Sequence, residues 1–344
     1  MIEKIVLRNF KGIREGELEL APLTILLGGN NSGKTTLLEA LFLAPNPFRK
    51  VSFEFPPMNA VELVRFMHET LKSEDFRFLL HNYMAENALI SCKVGERVYS
   101  TVFAIRGNRI NVYYVESTLV PTLENLSSLK IENLIGYFPD FRRIEEYRER
   151  IPFENVLLFQ SYLVRMGWDY IRSVWATVVN SGASTRVART VSRLVHENYL
   201  DLTLEPFFGD EVAPYVYLDD GRRVRVGDLG DGVRTLVTLM LLYELVKPGV
   251  LLWDDVEAHM NPRMLLFVAR WVADLVDKGV QVVLSTHSIE ALRTIAGLVE
   301  DKDVRIYLLT LERGVLKSKG LSLRDVEELW KAGIDIRVGE PYLL

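Results

Sequence analysis

Apolar and polar residues alternate over residues 2–9 (IEKIVLRN) and again over 16–20 (GELEL), then merge into a continuous apolar run at 23–28 (LTILLG). That order predicts two half-exposed strands followed by a buried one. A helix is expected from Lys34, ending before Pro45 and Pro47. Residues 60–90 read as helix, turning strand-like towards the end. ALISCKVG, RVYSTVFAIRG and RINVYYVE (88–115) read as strands separated by Gly-Glu and Gly-Asn turns. From about 122 to 205 the pattern is helical with charge-rich faces, interrupted by the strand-like VLLF before Gln160. VAPYVYLDDGRRVRVGDL predicts a hairpin around Asp220-Gly221. Helices at 232–246, 262–277 and 288–296 then alternate with strands at 250–254, 280–285 and 304–311, the signature of a parallel α/β sheet. LSLRDVEELWKAG predicts a last helix. No repeat and no low-complexity linker interrupts the chain. The expected organisation is one discontinuous domain, residues 1–118 and 206–344, carrying a helical insertion at 119–205.

Composition adds bounds. The 344 residues are 49% hydrophobic and 25% charged, the profile of a globular protein with a sizeable core. A net charge of -5 provides no global basic footprint, so any nucleic-acid contact must use a local patch. Cys92 is the one cysteine, which excludes an intrachain disulfide and a cysteine-based metal site. MIEKIVLRNFKGI lacks the apolar core of a signal peptide, and the longest apolar run, LVTLMLLYELV, is too short to span a bilayer. The expectation is a cytoplasmic protein without membrane contact.

Three stretches carry chemistry. GGNNSGKTT (28–36) fits G-x-x-x-x-G-K-[ST] through Gly28, Gly33, Lys34 and Thr35, with Asn30, Asn31, Ser32 and Thr36 completing the loop. It follows a buried strand and opens a helix, so backbone N–H groups and the helix N-terminus can face phosphates. Lys34 is expected at the β- and γ-phosphates of ATP and Thr35 on Mg²⁺. LLWDDVEAHMNP (251–262) is a buried strand running into Asp254, Asp255 and Glu257. Asp254 is expected behind the Mg²⁺ through a water, and Asp255 on the γ-phosphate side, where a carboxylate orients or deprotonates the attacking water. Glu257 either assists or shapes the loop. Asn261-Pro262 reads as the cap and first residue of a helix. VVLSTHS (282–288) brings His287 to the same sheet edge, where it could hydrogen-bond a γ-phosphate. VGDLGDGVRTL (226–236) adds a helix N-terminus with little side-chain bulk, Gly230 and Gly232, a second candidate anion site.

IVLRNFKGI followed by GGNNSGKTT resembles the start of SMC, RecF and Rad50 ATPase heads. LGDGVRTL, LLWDDVEAHMNP and VVLSTHS occur in the order and spacing of the signature motif, the Walker B strand with D-loop, and the switch histidine of ABC-type ATPases. The set is most similar to stand-alone AAA_15/AAA_21 ATPases of the OLD-like kind, over roughly residues 1–45 and 205–311. The resemblance implies an α/β P-loop NTPase of the ABC/SMC-head type: a mixed sheet with an antiparallel β lobe and a helical insertion. It implies ATP and Mg²⁺ held between two subunits, with Lys34, Thr35, Asp254, Asp255 and His287 acting in cis. Gly230, Gly232 and Arg234 would act in trans, hence a nucleotide-dependent homodimer. Gly230 stands where ABC signatures carry serine, and Asp255 is one methylene shorter than the usual glutamate, which implies slow turnover. Gln160 is the candidate Q-loop residue and Mg²⁺ contact. Asn9 and Lys11 match a region near the nucleotide in such heads.

Two functions follow. One is an ATPase acting on or regulating DNA-related machinery, with contacts from Arg186, Arg189 and Arg193 on one helix face and from Arg222, Arg223 and Arg225 on a hairpin. The other is a slow nucleotide-gated switch that binds a protein partner of nuclease or toxin type. A transporter ATPase would carry an LSGGQ-like signature. An intrinsic nuclease is not expected, because the residues after His287 lack a toprim glutamate and D-x-D set.

Overall fold

The structure is a computed structural model and describes residues 1–54, 56–69, 75–122, 134–138, 142–143, 151, 153–299 and 302–333. The chain opens with β1 (Lys4–Phe10), β2 (Ile13–Glu19), β3 (Leu23–Leu27), α1 (Lys34–Leu43) and α2 (Ala60–Met67). An antiparallel run follows: β4 (Asn87–Val94), β5 (Arg97–Arg106), β6 (Arg109–Ser117), β7 (Leu134–Phe138) and β8 (Arg142–Arg143). Next come β9 (Val156–Phe159), α3 (Leu163–Ser173), α4 (Trp175–Asn180) and α5 (Ala183–Ser192). Strands β10 (Tyr199–Phe208), β11 (Glu211–Leu218) and β12 (Arg223–Arg225) precede α6 (Asp231–Val246) and β13 (Val250–Trp253). The chain closes with α7 (Pro262–Asp277), β14 (Gln281–Thr286), α8 (Ile289–Gly297), β15 (Val304–Glu312), β16 (Val315–Leu321) and α9 (Leu323–Lys331).

One 13-stranded sheet holds the core, in the order β8-β7-β6-β5-β4-β1-β2-β16-β15-β3-β14-β13-β9. Strands β9, β13, β14, β3 and β15 run parallel. In β3, β13 and β14 every residue is buried, as expected of a parallel sheet covered on both faces. β3 therefore lies inside the sheet, between β14 and β15, and delivers the glycine-rich loop to the edge where β13 and β14 also end. Strands β4 to β8 extend the sheet as an antiparallel lobe, and β10-β11-β12 form a separate three-stranded sheet. The predicted hairpin forms between β11 and β12, with Gly221 in the left-handed region at φ 85°. Among the described residues no helix is long and apolar enough to cross a membrane.

Three expectations change. Residues 119–205 are not helical throughout, since β7, β8 and β9 lie within them and belong to the main sheet. Most of the helix expected over 131–151 lies outside the described residues. The helix expected up to Leu200 stops with α5, and β10 starts at Tyr199 because its backbone pairs with β11. VLKSKGL forms β16, a strand the pattern did not predict. Its polar Lys317–Lys319 stretch hides it, and pairing with β15 supplies the stability.

The core also contains the carboxylate of Glu39, with no exposed surface. Glu39 on α1 accepts from Lys11 in the β1–β2 turn and pairs with His68, just beyond α2. Lys11 sits at φ 51°, and its backbone is held by Leu79 O and His81 Nδ1. This cluster joins three segments around the helix that follows the phosphate loop.

Candidate nucleotide site

The loop between β3 and α1 needs its glycines. A Cβ on Gly28 would lie 2.5 Å from Leu309 O and 2.6 Å from Ser32 Oγ. Gly33 caps α1 at φ 92°, a conformation that strains other residues. Asn31 is also left-handed, at φ 62°. Asn30 and Asn31 are exposed at the loop tip, while Ser32 is buried and Thr36 half-buried. Lys34 is buried and donates to Gly28 O at 2.9 Å and Gly29 O at 2.8 Å, so its ammonium lies across the mouth of the loop.

The acidic strand end meets this loop directly. Thr35 Oγ1 donates to Asp254 Oδ2 at 2.8 Å. Ser285 Oγ donates to Asp254 Oδ1 and accepts from Asp255 N at 2.9 Å. Ser285 thereby fixes both carboxylate-bearing residues across the β13–β14 pair. Burial lifts the Asp254 carboxyl above its ordinary range, the neighbouring Asp255 adds to this, and the Ser285 and Thr35 hydroxyls oppose it. Asp255 adopts φ 51°, and its exposed carboxylate lies 3.4 Å from His287 Nε2.

Glu257 has a different setting. Its Oε2 accepts from Thr286 Oγ1 at 2.7 Å and its Oε1 from His287 N at 2.6 Å. Both carboxylate oxygens thus tie the segment after β13 to the end of β14. The residue positions His287, while Asp255 keeps an exposed carboxylate.

Gln160 directly follows β9, whose Phe159 is in register with Trp253, so it emerges beside Asp254. Its Nε2 is buried without a hydrogen-bond partner among the described residues. A cavity of about 390 Å³ is lined by Gln160, Asp254, Asp255, His259, Asp231 and Arg234, among others. Arg234 and Asp231 form an ion pair at 2.7 Å, and His259 Nδ1 lies 3.6 Å from Asp231. Arg234, expected to serve a second subunit, thus borders a cavity of its own chain that Asp254 and Asp255 also line. Gly232 has a packing reason that sequence reasoning missed: a Cβ there would meet His259 O at 2.5 Å and Met264 Sδ at 2.9 Å. Gly230, the cap of α6, is exposed with nothing near a Cβ.

Asn9, near the end of β1, and Lys11, in the β1–β2 turn, both adopt left-handed backbone conformations, and Lys11 is committed to Glu39. Motif reading did not single out Ser285, Thr286 or His259. The stretch STHS contains the first two, but only strand pairing reveals that they hold Asp254 and Glu257.

The residues fit Mg²⁺. The Thr35 hydroxyl and Asp254 carboxylate meet at one point, an all-oxygen donor pair suited to a hard cation that takes its other ligands from phosphates and water. Among the described residues no cluster of three His, Cys, Asp or Glu suggests a self-sufficient metal site.

Known proteins resemble the chain in sequence and in fold. Residues 115–293 match the AAA_21 model, described as "AAA domain, putative AbiEii toxin, Type IV TA system". Residues 1–156 match AAA_15, an "AAA ATPase domain". The chain is 24% identical to the Septu protein PtuA of Bacillus mycoides (strain KBAB4), over 91% of this chain and 41% of that protein, so it spans less than half of PtuA's length. It is 20% identical to an ATP/GTP phosphatase of Helicobacter pylori, over 88% of this chain and 90% of the other. An SMC head bound to the C-winged helix domain of ScpA aligns with TM-score 0.57 and 14% identity, over 95% of this chain and 99% of that one. An SMC head from Pyrococcus furiosus, bound to the C-terminal domain of ScpA, aligns with TM-score 0.57 and 11% identity, over 96% and 98%. These likenesses establish the fold as an α/β P-loop NTPase of the SMC-head type.

Proposed function

The chain belongs to the AAA_21 family of AAA domains, and from that membership we propose that it binds and slowly hydrolyses ATP with Mg²⁺ and closes into a homodimer around the nucleotide. The observation that carries the reading is the junction of Thr35 with Asp254, which joins the phosphate loop to the acidic strand end. When bound, Mg²⁺ would offset the charge that builds on the β- and γ-phosphates. Thr35 and Asp254 would hold it, with Gln160 at its side. Lys34 would shift from its loop carbonyls to the phosphates. Asp255 would orient the attacking water and take its proton, and the nearby His287 would hydrogen-bond the γ-phosphate. The shorter aspartate reaches less far than glutamate, so turnover would be slow. Gly230, Gly232 and Arg234 would complete the site of the opposing subunit.

The same dimer would act on or regulate DNA-related machinery, with the exposed Arg186, Arg189 and Arg193 of the α5 region as its basic face. One observation favours the second reading, a switch that holds a protein partner. Arg222 pairs with Asp220 and Glu197, Arg223 with Glu205, and Arg225 with Asp228, so the hairpin arginines are already neutralised.

The test is the size of Asp255→Asn protein in solution with and without ATP and Mg²⁺. The dimer is expected only with nucleotide. A species that stays monomeric while nucleotide binding is retained would overturn the shared site.

A further inference from the structure

A second cavity lies on the opposite edge of the sheet. It has a volume of about 460 Å³ and is lined by Phe42, Arg49, Lys50, Ser52, Phe53 and Glu154, among others. The cavity also touches Val156, the first residue of β9, at the end of the strand remote from Gln160. Phe42 is in the last turn of α1, whose first turn carries Lys34 and Thr35; ten residues of helix separate the two ends by about 15 Å.

Arg49 is the unusual member. The residue is 7% exposed. Nη1 donates to Asn46 O at 3.0 Å, and the guanidinium stacks 4.4 Å from the centre of the Phe42 ring. Nη2 is buried and has no hydrogen-bond partner among the described residues. The loop around it is ordered by its own bonds: Asn46 Oδ1 accepts from Phe48 N, Arg49 O accepts from Ala60 N, and Val51 N donates to Met58 O. Arg49 is therefore held in place rather than left over from a loose segment. Burial pushes its guanidinium down to about 9, and the charge of Glu154 opposes this through space without an ion pair. A buried cation with a spare donor costs free energy unless an anion meets it. Lys50 adds a second positive group at the exposed rim.

We propose that this cavity binds a small phosphate- or carboxylate-bearing molecule, with its anionic group on Arg49 and Lys50 and its carbon frame against Phe42 and Phe53. The site is separate from the nucleotide site and bears on the far end of the helix that follows the phosphate loop. A guanidinium suits it because the planar fork matches both anions.

The test uses the full chain carrying Lys34→Ala, which weakens phosphate binding at the loop, and titrates inorganic phosphate and, separately, citrate by calorimetry against sodium chloride of equal ionic strength. At least one probe is expected to bind, and the stronger one identifies the anion type. Adding Arg49→Met should weaken that probe about tenfold or more, as loss of a charge-assisted hydrogen bond implies. Lys50→Glu should weaken it less, and Ser52→Trp should block it by filling the cavity. If Arg49→Met fails to fold by circular dichroism, the Lys50→Glu and Ser52→Trp proteins decide the matter. Absence of binding by both probes, or affinity unchanged in the folded variants, would overturn the proposal.

Discussion

At the scale of single residues, the two carboxylates after Asp254 separate by what they hold. Glu257 accepts from Thr286 and from the His287 backbone, whereas Asp255 keeps an exposed carboxylate near His287. Lengthening Asp255 should therefore improve its reach: Asp255→Glu is expected to raise the ATPase rate severalfold, and Asp255→Asn to lower it by about a hundredfold or more. Glu257→Gln keeps one acceptor and should act through His287, costing about 1 kcal/mol of stability with a smaller loss of rate. Steady-state rates beside thermal unfolding of the three proteins check this. A rate abolished in Glu257→Gln but unchanged in Asp255→Glu would move the water-activating role to Glu257. A further residue is decided by protons. Glu54 is buried, its Oε1 lacks a hydrogen-bond partner among the described residues, and burial with nearby Asp169 raises its carboxyl from 4.5 to about 7. The folded chain then holds this proton more tightly than the unfolded chain. Stability falls as pH rises from 4.5 to about 7, by up to about 1.4 kcal/mol per unit, and stays lowered above. Glu54→Gln should raise the unfolding temperature more at pH 8 than at pH 5, and equal gains would refute it.

At the scale of elements, local signals were legible and long-range ones were not. The β3–loop–α1 unit could be read because its glycines, lysine and buried strand lie within fourteen neighbouring positions, 23–36. The cap of α7 was equally plain: Asn261 accepts from Met264 N at 2.9 Å and Pro262 occupies the first turn. Ser285 was opaque because its partners, Asp254 and Asp255, are 31 and 30 positions away and meet it only through β13–β14 pairing. β16 was missed because a polar strand gains its stability from neighbours that periodicity cannot see, whereas β10 carries an alternating LDLTLE that the preceding helical pattern masked. The Glu39 cluster belongs with these. It joins α1 to the β1–β2 turn and to the end of α2 across 28 and 29 positions. Burial raises the Glu39 carboxyl, but Lys11 and His68 outweigh it and the net shift is downward. The stabilisation is thus present above the ordinary value of 4.5 and is lost as pH falls through the lower folded value. Lys11→Met leaves Glu39 with His68 alone and should cost about 3–5 kcal/mol, while Lys11→Met with Glu39→Met should recover much of it. Chemical denaturation at neutral pH checks both. A single substitution that costs nothing would mean the pair holds no elements together.

At the scale of the whole molecule, the question is whether any surface can attract a polyanion. Net charge is -5, so attraction must be local. The hairpin arginines are paired with carboxylates, and Arg186 pairs with Glu244 at 2.6 Å. Of the six arginines on α5 and the hairpin, Arg189 and Arg193 are exposed with no ion pair among the described residues, beside Arg186 along α5 and its C-cap. α5 thus offers unpaired arginines where the hairpin offers only paired ones, so α5 is the face on which a duplex would settle if one is bound. If DNA is bound, Arg186→Glu, Arg189→Glu and Arg193→Glu together should weaken it and flatten its salt dependence, by about 0.9 in the log–log slope for each phosphate no longer neutralised. Reversing Arg222, Arg223 and Arg225 should leave that slope unchanged, since those groups are already spent on Asp220, Glu197, Glu205 and Asp228. Fluorescence anisotropy of a labelled duplex at several salt concentrations, with ATP and Mg²⁺ present, reads both. A slope that falls with the hairpin set and not with the helix set would place the DNA on the three-stranded sheet instead. No binding even at low salt would leave the protein-partner switch as the reading to pursue.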